Sequence, residues 1–127
     1  QVMAKGLIEL GLLSGSLEQV MADESYREFT VHKTGHWLGM DVHDVGAYHD
    51  KDGNWLSLQP NMVFTIEPGI YIPEHCQTVD EKWRGIGIRI EDDILVTASG
   101  HENLSRAIPR SVKEIESFMA ASQTGLN

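Results

Sequence analysis

The chain of 127 residues has a single cysteine, no long apolar run and few basic side chains. Cys76 has no partner for an internal disulfide, which is typical of a protein from a reducing compartment. No apolar stretch approaches the roughly 20 residues that cross a bilayer, and no basic start followed by an apolar segment indicates a signal peptide. These absences predict a cytoplasmic protein that does not span a membrane.

Basic residues are also scarce. The sequence has 10 basic and 19 acidic residues, which gives a net charge of −9. This balance argues against nucleic acid as a partner, since phosphate binding needs clustered Lys and Arg. Hydrophobic residues at 41% and charged residues at 23% are typical of one globular domain. The surplus of carboxylates either keeps the surface soluble or binds cations.

Helix signals lie near both ends of the sequence. Residues 2–13 carry apolar side chains at broadly helical spacing, and Ser16 with Gln19 has the spacing of a capping box that opens a second helix. Residues 111–121 repeat the capping-box and apolar pattern. Gln1 is not an initiator and the first helix is entered partway along, so we expect a piece of a longer protein.

Two segments between the helices, 62–72 and 86–96, are rich in β-branched and aromatic residues and predict strands. The fold class is therefore α+β, with a largely antiparallel sheet. If the strands form a hairpin in which facing residues have numbers that sum to 158, Glu67 faces Glu91. Opposed like charges destabilise a sheet, so either one carboxyl binds a proton or a cation lies between them. Pro68 lacks a ladder donor and could shift this register by one residue.

The same register gives each strand a polar and an apolar face. Arg89 opposes Gly69, and Thr65 opposes Asp93, on the face that carries the two glutamates. Such a polar face is either simply solvated or part of a site. Isoleucines are expected to pack on the other face: Ile66, Ile70, Ile72, Ile86, Ile88, Ile90 and Ile94.

Residues 32–44, HKTGHWLGMDVHD, contain three histidines. His32 and His36 do not form a zinc-binding helical pair, because Lys33 replaces the glutamate of that motif and Gly35 disfavours a helix. Three histidines beside a carboxylate pair nevertheless predict a metal or acid–base site.

His36 and His43 are seven residues apart, so they can line one site only if the chain bends, and Gly39 is the expected place. A nitrogen with two or more carboxylates suits manganese or magnesium better than a structural zinc site would. Two bridging carboxylates suggest two ions, which can hold a shared hydroxide and polarise a scissile carbonyl.

Three segments in this order, HKTGHWLGMDVHDVGAY, NMVFTIEPGIYIP and GIGIRIEDDILVT, closely resemble the C-terminal part of the catalytic domain of Xaa-Pro aminopeptidases (aminopeptidase P). The resemblance extends over nearly the whole chain, including GLLSGSLEQV and YREF. It implies that residues 1–127 are the C-terminal half of a pita-bread metallopeptidase domain. The implied activity removes the N-terminal residue from peptides with proline in second position, by attack of a hydroxide that bridges two manganese ions.

The resemblance also implies roles for individual residues. His36, Glu67 and Glu91 become metal ligands, Glu91 bridges the two ions, and Glu67 accepts the proton of the attacking water. His32 and His43 become substrate contacts that shuttle protons.

Two further residues, Arg89 and Tyr48, are implied to orient these ligands, and Arg89 also to bind substrate. Lys33 departs from the family, which has glycine after the first histidine, and this is expected to change either the local backbone or the approach of substrate. Two aspartate ligands and an N-terminal domain of the family lie upstream and have no counterpart here. We therefore expect weak metal binding and no peptidase activity from this polypeptide alone.

Alternative functions stay open on these residues. A prolidase, which accepts dipeptides, is the nearest enzymatic alternative, although Trp37 favours the aminopeptidase; methionine aminopeptidases fit the strand segments less well. A non-catalytic peptide-binding pita-bread module is a third possibility. Apolar surface left uncovered in half a domain predicts a homo-oligomer.

Overall fold

The computed structural model describes residues 1–124, and side chains as far as residue 121. Within that range no helix is long and apolar enough to cross a membrane. The helices and strands are α1 (Val2–Glu9), α2 (Leu17–Ala22), β1 (Val63–Ile66), β2 (Gly69–Tyr71), β3 (Gly87–Arg89), β4 (Asp92–Thr97), β5 (Gly100–Asn103) and α3 (Val112–Thr124). Short 3-10 helices cover Ser25–Glu28 and Glu81–Trp83.

The chain forms two compact units. The first unit consists of Gln1–Gly35 and Glu67–Glu91, and the second of His36–Ile66 and the chain from Asp92 onward. The first unit therefore contains α1, α2, β2 and β3, and the second contains β1, β4, β5 and α3.

The predicted helices are present, with one difference in length. α1 ends at Glu9, with Leu10 as its C-cap, rather than extending to residue 13, because Gly11 follows in a left-handed conformation (φ 72°) that stops a helix. α2 begins with the predicted capping box, in which Ser16 Oγ accepts a hydrogen bond from Gln19 N and the Gln19 side chain accepts one from Ser16 N. The predicted helix over residues 111–121 is α3.

The first unit has a buried apolar core drawn from both of its segments. Phe29 is fully buried, and its carbonyl accepts a hydrogen bond of 2.9 Å from Tyr71 N, which joins β2 to the first segment. Burying a side chain of this size contributes about 1.5–3 kcal/mol. The core cluster consists of Leu7, Leu12, Phe29, Ile72, Cys76 and Val79.

The sheet of the first unit has the predicted register. β2 and β3 pair antiparallel with Gly69 opposite Arg89 and Ile70 opposite Ile88. Pro68 interrupts the regular strand but does not shift the pairing, and its carbonyl accepts from Ile90 N.

The expectation that the isoleucines would be packed is confirmed for Ile72 and, in the second unit, for Ile94, which are 4% and 6% exposed, but it is wrong for the isoleucines of β3 and its flanking residues. Ile86, Ile88 and Ile90 are 36%, 58% and 45% exposed. They line an apolar groove of about 290 Å³, to which Met3 and Leu10 of the helical segment contribute. The alternation of isoleucines along the strand correctly predicted which side chains share one face of the sheet. It could not predict whether another element covers that face.

The second unit contains a three-stranded antiparallel sheet in the order β1, β4, β5. Thr65 pairs with Asp93 in the predicted register. β5 was not predicted, because its sequence GHEN lacks the β-branched and aromatic residues that indicate strands. In the described part of this unit the buried side chains are Thr65 and Ile94.

Candidate functional site

Glu67 and Glu91 face each other at the end of the sheet in the first unit. Their carboxylates offer oxygens within 4.8 Å of one another. Glu67 is only 7% exposed, whereas Glu91 is an exposed residue. The opposed pair that the register predicted is therefore confirmed, and because Glu67 is buried the polar face is not simply solvated.

The main chain and one cation hold Glu67 in place. Its backbone N donates a hydrogen bond of 2.9 Å to Thr34 O, and Arg89 Nη1 lies 3.9 Å from Glu67 Oε2. An ion pair at this distance with a half-exposed guanidinium is weak. Two closely spaced carboxylates supply hard oxygen donors, which fit divalent ions.

His36, the first residue of the second unit, is fixed by both its main chain and its ring. Its backbone N donates to Thr65 Oγ1 at 3.1 Å, and its carbonyl accepts from Thr65 N at 2.9 Å. Because a carbonyl can only accept, the 2.9 Å contact between His36 Nδ1 and Trp37 O places the ring proton on Nδ1. In the neutral ring Nε2 is then the nitrogen that can ligate a metal.

His43 is brought to His36 by the expected bend. The two ring centroids lie 4.4 Å apart at 76°, an edge-to-face contact. The bend is closed by a 3.0 Å hydrogen bond from Asp44 N to Trp37 O. A Cβ at Gly39 would overlap the Asp44 carboxylate, so this close approach requires glycine.

His32 lies in the first unit, where Tyr71 contacts it. His32 Nδ1 donates to Lys33 O at 2.6 Å, so Tyr71 OH donates to the neutral Nε2 at 2.9 Å. A Cβ at Gly69 would lie 2.7 Å from His32 Nε2 and from the Tyr71 hydroxyl. Sequence reasoning missed Tyr71, although its spacing of four residues from Glu67 places it on the same strand face.

Tyr48 supports the main chain next to His36. Its hydroxyl accepts a hydrogen bond of 3.2 Å from Trp37 N, and its ring stacks on the Trp37 ring with centroids 5.5 Å apart. The Trp37 indole N in turn donates to Ala47 O at 3.2 Å. Tyr48 thus orients the residue whose carbonyl holds the His36 ring.

A polar network begins at Asp92, the residue after Glu91. Hydrogen bonding from Asn103 holds the pKa of Asp92 below its usual range, and Ser105 and Arg110 act in the same direction. Ser105 Oγ donates to Asp92 at 2.9 Å, and Arg110 Nη1 lies 2.8 Å from its other oxygen. Sequence reasoning missed this network, because its members are separated by up to 18 residues.

The sequence is similar to a known family of metallopeptidases. Residues 3–98 match metallopeptidase family M24. The chain is 46% identical over 123 residues to the Xaa-Pro aminopeptidase of Escherichia coli K12, and 50% identical over 121 residues to Xaa-Pro aminopeptidase 1 of Streptomyces coelicolor. These alignments cover 97% and 95% of the chain but 27% and 25% of the relatives. The chain therefore spans about a quarter of their length.

Solved structures of aminopeptidases are similar to this chain in both fold and sequence. The aminopeptidase PepP of Pseudomonas aeruginosa superposes with a TM-score of 0.91 at 52% identity, covering 97% of this chain and 28% of that chain. A zinc-substituted aminopeptidase P of E. coli in complex with product gives 0.85 at 46% identity, with coverage of 94% and 27%. The predicted α+β fold of the pita-bread type is confirmed, and family members of this kind take divalent metal ions.

Proposed function

Because the chain belongs to metallopeptidase family M24, we propose that it is the part of an Xaa-Pro aminopeptidase that supplies the metal ligands His36, Glu67 and Glu91. The observation that carries the proposal is the pair of facing carboxylates within 4.8 Å, in a chain 46% identical to such an enzyme. The whole protein removes the N-terminal residue from peptides that have proline in second position. Residues 1–127 are its C-terminal catalytic portion, and its location is cytoplasmic.

The ligand chemistry favours two manganese ions. Carboxylate oxygens with one imidazole nitrogen suit Mn²⁺ among the common divalent ions. When bound, the metal supplies Lewis acidity that activates water and polarises the scissile carbonyl. Glu91 would contribute its carboxylate to both ions, and His36 would offer Nε2 because its Nδ1 is held by Trp37 O.

Protons move through three side chains. Glu67, buried and beside Arg89, accepts the proton of the attacking water. His32 and His43 contact the peptide and transfer protons, with the tautomer of His32 held by Lys33 O and Tyr71. Arg89 orients Glu67 and contributes to substrate binding.

This polypeptide alone is expected to bind metal weakly and to lack activity, since the resemblance requires two further aspartate ligands. The test is a Mn²⁺ titration by calorimetry of this chain and of a chain extended upstream. Release of the first residue from an Xaa-Pro-Xaa tripeptide and from an Xaa-Pro dipeptide is followed in parallel. We expect two ions and tripeptide cleavage only in the extended chain.

A matched pair of substitutions makes the titration specific. In the extended chain Glu91→Gln is expected to lose at least one ion and cleavage, whereas Glu102→Gln, an exposed residue of β5, retains both. Preference for the dipeptide would indicate a prolidase instead. An extended chain that binds neither metal nor tripeptide would contradict the proposal and favour a non-catalytic module.

A further inference from the structure

Thr65 is a buried polar residue that contacts the main chain of His36 and is not itself a proposed metal ligand. It is 2% exposed, although its side chain carries a hydroxyl. Buried hydroxyls require hydrogen-bond partners, and Thr65 Oγ1 accepts a bond of 3.1 Å from His36 N. Thr65 N also donates to His36 O at 2.9 Å. In a regular antiparallel pair both bonds would be main-chain bonds, whereas here a side-chain hydroxyl accepts one of them.

We propose that Thr65 is a positioning residue that fixes the main chain at His36 and thereby orients its imidazole toward a metal ion. The inference rests on the proposed function of His36 as a ligand. Thr65 acts through His36 and does not itself touch the metal.

The His36 ring is held independently at its other end. Its Nδ1 donates to Trp37 O at 2.9 Å, and that carbonyl also accepts from Asp44 N at 3.0 Å. The carbonyl is therefore held within the bend that brings His43 to His36. With the ring tied to Trp37 O, the position of Nε2 depends on the His36 backbone, which Thr65 holds through two hydrogen bonds.

Threonine suits this position for two separable reasons. Its β-branched shape packs well in a strand, and Thr65 pairs with Asp93 in the sheet of the second unit. Its hydroxyl is the acceptor for His36 N. Valine keeps the shape without the acceptor, and serine keeps the acceptor without the methyl group. Thr65→Val and Thr65→Ser therefore separate a positioning role from a packing role.

The first test measures amide hydrogen exchange at His36 by NMR in this chain, without metal. In Thr65→Val we expect the protection of the His36 amide to fall about tenfold relative to neighbouring strand amides, as for loss of one hydrogen bond of ordinary strength. In Thr65→Ser we expect protection close to wild type even if the melting temperature is lower. Unchanged protection in Thr65→Val, or losses that follow the melting temperature in both variants, would overturn the proposal.

The second test connects Thr65 to the metal. Mn²⁺ is titrated into the upstream-extended protein, and paramagnetic broadening of the His36 ring signals is recorded. Thr65→Val is expected to need several-fold more Mn²⁺ than wild type, and Thr65→Ser about the same amount. Equal Mn²⁺ requirements in all three proteins would overturn the positioning role. If Mn²⁺ does not broaden His36 in wild type, the metal assignment fails, and the exchange data still decide whether Thr65 fixes the His36 backbone.

Discussion

The two units of the chain are stabilised in different ways. The first unit buries an apolar cluster that includes Leu7, Phe29 and Ile72, whereas in the described part of the second unit only Thr65 and Ile94 are buried. The second unit depends instead on the hydrogen bonds of its three-stranded sheet and on polar networks. Apolar burial drives the first unit, and we expect the second to be the more easily opened.

Large apolar side chains are exposed in both units. Met40, Val45 and Trp55 of the second unit are 99%, 90% and 75% exposed. Val2 and Val31 of the first unit are likewise 89% and 70% exposed, so the two units differ in what they bury rather than in what they expose. The second unit therefore holds residues of the proposed site without much core of its own.

The largest expected effect comes from removing the central core side chain of the first unit. Phe29→Ala should lower the free energy of unfolding by about 3–5 kcal/mol, because Phe29 is fully buried and its truncation removes apolar contacts and leaves a cavity. Phe118→Ala in α3 is the matched control; Phe118 is 65% exposed, and the expected change is within about 0.5 kcal/mol. Urea denaturation measures both. Similar losses of unfolding free energy in the two variants would contradict the inference that apolar burial stabilises the first unit more than the second.

The next effect concerns two glycines of the first unit. Gly69→Ala should cost about 1–3 kcal/mol, because the new Cβ would lie 2.7 Å from His32 Nε2 and the Tyr71 hydroxyl. Gly6→Ala should instead stabilise the chain by up to about 1 kcal/mol, because Gly6 lies within α1 with open space around it. Thermal denaturation measures whether each substitution raises or lowers the stability. A Gly69→Ala variant as stable as wild type would contradict the close packing of His32 on Tyr71.

A smaller effect is expected on the isoleucine groove. We expect this chain to self-associate through its uncovered apolar faces. Ile88→Thr should weaken association by about 1 kcal/mol per contact while leaving stability nearly unchanged, because Ile88 is 58% exposed. Val31→Thr, outside the groove and 70% exposed, is the control. Sedimentation velocity measures both, and a strictly monomeric wild type at high concentration would count against homo-oligomerisation.

The smallest effect is a pH dependence of α3. Hydrogen bonds from Ser111, and then from Arg110 N, hold the pKa of Glu114 below its usual value of 4.5. A lowered folded-state pKa gives stability that is complete above the unfolded-state pKa and is lost as pH falls through the folded value. Circular dichroism from pH 6 to 3 should therefore show α3 weakening below about pH 4.5. Glu114→Gln should remove this dependence, and an unchanged profile would refute the assignment.

Much of the site was predictable because it depends on local rules. Antiparallel pairing with numbers summing to 158 follows from the two strand segments, and the β1–β4 and β2–β3 pairs have that register. The bend at Gly39 follows from the spacing of His36 and His43, and the structure places their rings in contact. The roles of these residues in metal binding and catalysis remain proposals.

What the sequence by itself determined is the set of periodic features: the α+β class, the capped helices, the strand register and the opposed glutamates. These depend on residue type and short spacing, which act before the chain is packed. Only the tertiary structure decided that Tyr71 contacts His32, that Thr65 holds His36, and that Ile88 and Ile90 are exposed whereas Ile72 is buried. Such contacts join residues about 30 to 40 positions apart, so they depend on how the elements pack, and no local pattern encodes them.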